Sequence, residues 1–176
     1  NTLDMVSTKN QSSVNAIQEI LLDNITFKTN DNSQLYLNVN SKNFILQSDD
    51  KSKTELNLKS ENATIELSKN ASLKALANAI DLKCDLYEKS NATIEGDVTN
   101  TNIRLDNSST LKGNKLNQQQ SILTVNTIND TNTEFKVYDY NGSGVQNLFT
   151  KTINLDISVS HSLINQTGMV YGIQCW

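Results

Sequence analysis

Residues 65–74, Ile-Glu-Leu-Ser-Lys-Asn-Ala-Ser-Leu-Lys, return in similar form at residues 103–112 as Ile-Arg-Leu-Asp-Asn-Ser-Ser-Thr-Leu-Lys. In both stretches aliphatic residues alternate with polar ones on either side of a short polar break. The central motif is a small polar residue, a second small residue, Thr or Ser, an aliphatic residue and a charged residue, and it also occurs at residues 62–66 and 91–95. Because recurring strand motifs are typical of stacked repeats, they indicate a repetitive β architecture.

The alternation of apolar and polar residues extends well beyond these motifs, from Ile25 onward. Alternation with period two is typical of β-strands that bury one face. Comparable aliphatic residues recur at a distance of about 21 residues, as from Leu35 to Leu56 and from Leu73 to Ile94, which is a period in the range of stacked repeats. Such a repeat predicts a parallel β-helix, in which each coil stacks on the previous one. Stacking buries the apolar side chains that a single coil could not bury alone.

The alternation also predicts which side chains face the inside of the helix. Cys84 is interpreted as a small buried hydrophobic residue. Ile80 is assigned to the same alternate face as Cys84, and so to the interior. The inward set comprises Leu56, Leu58, Ile65, Leu67, Leu73, Leu82, Cys84, Leu86, Ile94, Ile103, Leu105 and Leu111.

The same pattern divides the chain into three parts. Residues 25–116 form the predicted β-helix body, and residues 1–24 are an N-terminal cap or leader segment in which 14–22 suit either a helix or a strand. Residues 117–176 are expected to be C-terminal coils or hairpins that close the solenoid, because an open end would expose core and backbone. The alternative is an antiparallel β-sandwich, which ranks second because the body has no Asn-Gly hairpin signal.

Composition agrees with an all-β fold and excludes some functions. The chain has no proline, which cannot donate to a β ladder, and its 26 asparagines tolerate the left-handed geometry of tight corners. The net charge of −4 comes from well-mixed charges without a basic stripe, so a nucleic-acid partner is not expected. No apolar run approaches the roughly 20 residues of a membrane-spanning helix. The chain begins at Asn1, as expected for a processed export product.

Residues 35–116 resemble the head GIN domain family of adhesin-like autotransporter proteins of Bacteroidetes type. The resemblance rests on residues 56–67, Leu-Asn-Leu-Lys-Ser-Glu-Asn-Ala-Thr-Ile-Glu-Leu, on residues 90–97, and on residues 103–113, which end in Gly113. It implies a right-handed parallel β-helix exported to the periplasm, the outer-membrane surface or the extracellular space. It brings no catalytic residues to this chain, and the last third of the sequence departs from the family pattern.

Several short motifs suggest chemistry, and each has a simpler structural interpretation. Residues 139–144, Asp-Tyr-Asn-Gly-Ser-Gly, match the start of a calcium loop, but Thr150 stands where a bidentate carboxylate is needed, which favours a hairpin turn. The pair Asp49-Asp50 resembles hydrolase carboxylates, but its accompanying motifs are absent, which favours a solvated acidic loop. Arg104, the one arginine of the chain, is expected on the outer face.

Tyr36 and Tyr87 each neighbour an inward leucine, so both are predicted to point outward, where a tyrosine can stack on a sugar ring. The single His161 has no second ligand nearby in sequence and is interpreted as structural. Whether Cys84 pairs with Cys175 stays open.

We therefore assign no catalytic, cofactor-binding or metal-binding residue from the sequence. The favoured function is an exported, non-enzymatic adhesin-like or scaffolding module that presents a polar surface to a partner or glycan. The alternative is a polysaccharide lyase or hydrolase on the same fold. A groove holding Glu66, Glu95, Asp106 or Asp85 within hydrogen-bonding reach of Arg104 or of a bound cation would favour the enzyme, because catalysis needs titratable groups that converge.

Overall fold

The computed structural model describes residues 4–106, 108–126, 132–138, 146–152 and 173–174, with side chains described between residues 4 and 122 except 107 and 114. These residues are almost entirely β-structure. The strands are β1 (Met5–Thr8), β2 (Ser13–Thr29), β3 (Gln34–Ser48), β4 (Lys53–Leu67), β5 (Ser72–Leu86), β6 (Asn91–Asp106), β7 (Thr110–Asn126), β8 (Asn132–Tyr138), β9 (Gln146–Thr152) and β10 (Ile173–Gln174).

Strands β1 to β7 pair in parallel in the order of the chain, and each strand from β2 to β7 forms one coil. The predicted parallel β-helix is thereby confirmed, and the antiparallel sandwich is wrong for these strands. Parallel pairing already includes residues 13–16, 20–22 and 24, which lie in β2. At the other end, β8 and β9 both pair antiparallel with β7, and β10 pairs antiparallel with β8.

Each coil has two arms, which β4 illustrates. Its first arm, residues 53–59, buries Thr54, Leu56 and Leu58, and its second arm, residues 63–67, buries alternate residues of the opposite parity. The parity changes at a bend around Glu61, where the pairing with both neighbouring strands is interrupted. Both arms therefore point their apolar side chains into one common interior.

The interval between coils is shorter than the sequence pattern predicted. Side chains that bond across neighbouring coils, such as Asn24 with Asn43 and Asn43 with Asn62, are 19 residues apart. Leu56 stacks on Leu37, so the predicted interval joined residues that lie two positions apart in register. A shift of two positions leaves every side chain on its own face of a strand, and alternation alone cannot detect it. The first coil is longer, because β2 carries an irregularity between residues 16 and 20.

The assignment of Ile80 to the interior is also wrong. This residue falls on the bend of β5, in line with Glu61, and 51% of it is exposed. The bend shifts the phase of alternation, so a period-two count carried backward from Cys84 fails there.

Between strands, the chain turns through two consecutive left-handed residues. Asp50 and Lys51 have φ of 52° and 62°, and the corresponding turn one coil later uses Lys69 and Asn70, with φ of 48° and 66°. Left-handed geometry costs roughly 1–2 kcal/mol for a residue with a Cβ atom. Hydrogen bonds between stacked turns offset this cost, as the Lys51 N–H donates to the Lys69 carbonyl at 3.0 Å. Asparagine is therefore one of several residues used at these turns.

The interior is a stack of aliphatic side chains, and all twelve residues predicted to face inward are buried. Near its N-terminal end, Phe27 and Phe44 pack in adjacent coils with ring centroids 6.0 Å apart. No helix among the described residues has the length and apolarity needed to cross a membrane.

Candidate binding face

The Asp49-Asp50 pair lies in a turn, where Asp49 is a hydrogen-bond acceptor rather than a reactive group. Its Oδ1 accepts from the Ser68 hydroxyl at 3.0 Å and from the Asp50 backbone N–H at 2.8 Å. Its Oδ2 lies 3.0 Å from the Lys69 ammonium of the next coil. These bonds join two stacked turns, so Asp49 stabilises the coil boundary.

Asp106 has the same role in a turn further along the chain. It accepts hydrogen bonds from the backbone N–H groups of Glu88, at 2.6 Å, and Ser108, at 3.0 Å. Burial opposes the ionisation of both Asp49 and Asp106, but the hydrogen bonds that they accept outweigh it and lower the pKa of each below its ordinary value of 3.8. Both carboxylates are therefore held ionised as part of the fold.

We expect the protein to lose stability in acid because of these turns. A lowered pKa contributes stability that is present above the unfolded value of about 3.8 and is lost as the pH falls through the folded value. The Asp49→Asn variant should unfold at lower urea than the parent at pH 6, with this difference shrinking by pH 2.5. Urea unfolding followed by circular dichroism at both pH values measures it.

Asp50→Asn is the control for this experiment, because the Asp50 carboxylate makes no hydrogen bond or ion pair within the described part of the chain. Its loss of stability between pH 6 and pH 2.5 should match that of the parent. An Asp49→Asn difference that is the same at both pH values would contradict the proposed role of the charge.

Glu66, Asp85 and Arg104 lie side by side on three successive coils, on the outer face of the second arm. We call such a set of residues, paired in register from coil to coil, a column. Asp85 is almost fully buried by its neighbours, with Oδ2 3.2 Å from the Lys83 ammonium and Oδ1 without a hydrogen-bond partner. Arg104 is exposed, as predicted, and takes part in no ion pair with another described residue. The structure thus aligns two carboxylates with the arginine without joining them in a hydrogen bond.

Tyr87 follows this column at the turn and is half-buried. Burial raises the pKa of Tyr87, and the carboxylate of Asp85 raises it further, while Arg104 acts in the opposite direction. Glu95 lies on the first arm instead, with Oε1 3.4 Å from the Lys115 ammonium. The four carboxylates considered in the sequence are therefore distributed over three separate places.

A second outer column of the second arm consists mainly of asparagines and was missed in the sequence. Asn43 donates from Nδ2 to Oδ1 of Asn24 at 2.7 Å, and Asn62 donates in the same way to Asn43 at 2.9 Å. Further along the column, Asn100 donates to Oδ1 of Asp81 at 2.8 Å. The constant spacing of 19 residues between these partners was the signal that would have revealed both the column and the true repeat.

On the outer face of the first arm lies a trough of about 380 Å³, which we call the Tyr36 trough. Two columns of side chains form its walls, and the strands β2 to β5 pass beneath it. Tyr36 is 39% exposed, as its predicted outward orientation requires. The first wall contains Asn15, Tyr36, Glu55 and Lys74, and the second contains Asn38, Asn57, Leu76 and Glu95.

The remaining candidates are not reactive or lie outside the described residues. Cys84 has no solvent exposure, as predicted, and forms no disulfide with a described residue; burial raises the pKa of its thiol far above the ordinary value. The loop at residues 139–144, His161 and Cys175 fall outside the described residues, so the calcium-loop and hairpin alternatives and the Cys84–Cys175 pairing stay open.

Comparison with family models, curated proteins and solved structures yields no match for this chain. The resemblance to the head GIN domain family therefore stays a prediction. In the part of the chain with described side chains, no group of three or more His, Cys, Asp or Glu residues is placed to hold a metal ion.

Proposed function

We propose that this chain is a non-enzymatic binding or scaffolding module, exported to the cell envelope or beyond it, whose outer faces bind a partner or glycan. The observation that supports this most strongly is the arrangement of the outer faces into in-register polar columns. The Asn24–Asn43–Asn62 column is the clearest example, because its neutral amides satisfy one another from coil to coil. Such a surface is rigid and repetitive, and it offers hydrogen-bonding groups at fixed intervals.

The titratable groups support the same function. Those with lowered pKa values, Asp49 and Asp106, are committed to turns, where they bind backbone and side-chain donors of the neighbouring coil. A general acid or base needs a pKa near the working pH, and a lowered carboxylate pKa moves away from it. The export proposal is supported by the adhesin-like resemblance of residues 35–116.

One observation favours the enzyme as a second candidate. Glu66 and Asp85 occupy neighbouring coils beside Arg104, and Asp85 has an unpaired and buried Oδ1. Glycoside hydrolysis generally uses a pair of carboxyl groups, and the distance between them decides whether the reaction retains or inverts the configuration of the sugar. This column is where catalysis would reside if the protein had any.

The experiment compares binding with turnover in one set of samples. The purified chain is incubated with neutral and acidic polysaccharides, and we measure both its retention on the polymer and the release of new reducing or unsaturated ends. The proposed function predicts retention on at least one polymer without release of ends. Release that disappears in Asp85→Asn, a variant that should still be retained, would replace the proposed function with the enzyme.

A further inference from the structure

The Tyr36 trough has a shape that suits an extended, repeating ligand. Its floor is the backbone of Ala16, Leu37, Leu56 and Ala75, whose side chains point away from it. The two walls are two residues apart along each strand, or about 7 Å, and successive coils are about 4.8 Å apart. Each wall crosses four successive strands in three such steps, so it runs for about 14 Å along the axis of the β-helix.

The polar groups of the trough are held in place, and several remain free to bind a ligand. The Tyr36 hydroxyl donates to Oε1 of Gln34 at 3.2 Å, which orients the ring. Asn57 donates to Oδ1 of Asn38 at 3.2 Å, and this bond leaves one donor group and one acceptor of the pair unused. Glu55 and Lys74 stand beside each other in register, and neither forms an ion pair with any described residue.

These features distinguish between classes of ligand. A peptide strand cannot add to this face, because the backbone groups of the floor are already used in the parallel ladder. The charged residues that line the trough are two carboxylates, Glu55 and Glu95, and one ammonium, Lys74, and Glu95 is already paired with Lys115 beside the trough. The lining therefore has no excess of positive charge that would favour a polyanion. A neutral sugar chain offers what the walls can bind, namely hydroxyls for the amides and charged groups and apolar ring faces for Tyr36 and Leu76.

We propose that the Tyr36 trough binds an extended neutral glycan, whose successive sugar rings lie along the axis of the β-helix and match the rise from coil to coil. This inference rests on the proposed binding function and names its ligand class and site. Tyr36 stacks on a sugar ring, while Asn38, Asn57 and Glu55 bind hydroxyls. Ile17, which is 81% exposed at the N-terminal end of the trough, contributes an apolar contact.

The test titrates the protein with neutral cello-, xylo- and chito-oligosaccharides of two to six sugars by calorimetry. For at least one series, affinity should rise with length and stop rising near four sugars, because each wall of the trough takes one residue from each of four successive strands. Tyr36→Ala should weaken binding about tenfold, since a stacked aromatic ring is lost, whereas Tyr36→Phe should bind within about threefold of the parent. Tyr87→Ala, which removes the other tyrosine from the described coils, is the matched control and should bind like the parent.

Each other outcome overturns the inference. Glycan binding that is unchanged in a folded Tyr36→Ala variant, or that shows no plateau with length, would place the ligand elsewhere and leave the proposed binding function intact. Binding restricted to acidic glycans would exclude the ligand class. Turnover of the oligosaccharides that depends on Asp85 would remove both the inference and the proposed function.

Discussion

Leu67→Asp is expected to abolish cooperative folding of the β-helix. Leu67 has no exposed surface, and its column places it between Ser48 and Leu86 of the neighbouring coils. None of these neighbours carries a charge that could pair with the new carboxylate. A buried, unpaired charge costs several kcal/mol even after relaxation, which is comparable with the roughly 5–15 kcal/mol that stabilise a whole domain.

The effect should extend beyond one coil, because each coil is stabilised by the two that flank it. Calorimetry should therefore show the main transition lost or strongly lowered, with a parallel loss of β signal in circular dichroism. The matched control is Leu76→Asp, which makes the same chemical change in the next coil at a residue that is 47% exposed. Its transition should stay close to that of the parent. Equal transitions for Leu67→Asp and the parent would contradict the stacked core.

Gly96→Ala is expected to be strongly destabilising although it adds only one methyl group. A Cβ atom at this position would lie 2.2 Å from the Ala77 carbonyl oxygen, and the glycine has φ of +114°, which side chains rarely allow. The obstruction is backbone, so no side-chain rotation relieves it. We expect a loss of more than about 2 kcal/mol in the free energy of unfolding, measured by urea denaturation.

Two comparisons separate this clash from a general sensitivity of β6. Thr99→Ala, at a half-buried position on the same strand, should change the free energy of unfolding by less than about 1 kcal/mol. In the Gly96→Ala background, Ala77→Gly should bring no recovery, because it removes a methyl group and leaves the obstructing carbonyl in place. Recovery in the double variant, or a stable single variant, would show that the two coils can separate at this point.

Much of the fold could be predicted from the local pattern of apolar and polar residues along the chain. Alternation identified Leu67, Cys84 and Ile103 as inward-facing, and all three are fully buried. Strand faces are a local property, since each side chain points opposite to its neighbour whatever the strand pairs with. For the same reason Tyr36 and Arg104 were correctly predicted to lie outside.

The repeat length was the first property that local reasoning missed. The similarity between residues 65–74 and 103–112 already contained it, because Ile65 aligns with Cys84 and Cys84 with Ile103, so the two stretches are two coils apart. The single-coil comparisons favoured a longer interval because leucines two positions apart share a face. The left-handed turns decide between the two intervals, because each turn must lie where its backbone can hydrogen-bond to the corresponding turn of the next coil.

The sequence by itself thus determined an all-β chain and its inward residues, because these follow from the two-residue period of a strand. It also predicted the stacking of repeats, through the recurrence of its strand motifs. The tertiary structure alone decided which residues become neighbours across coils. The Asn24–Asn43–Asn62 column, the alignment of Asp85 with Arg104 and the walls of the Tyr36 trough all depend on it. The reason is that register is set by turn geometry and inter-coil hydrogen bonds, which shift every outer column together and leave the pattern of buried and exposed residues unchanged.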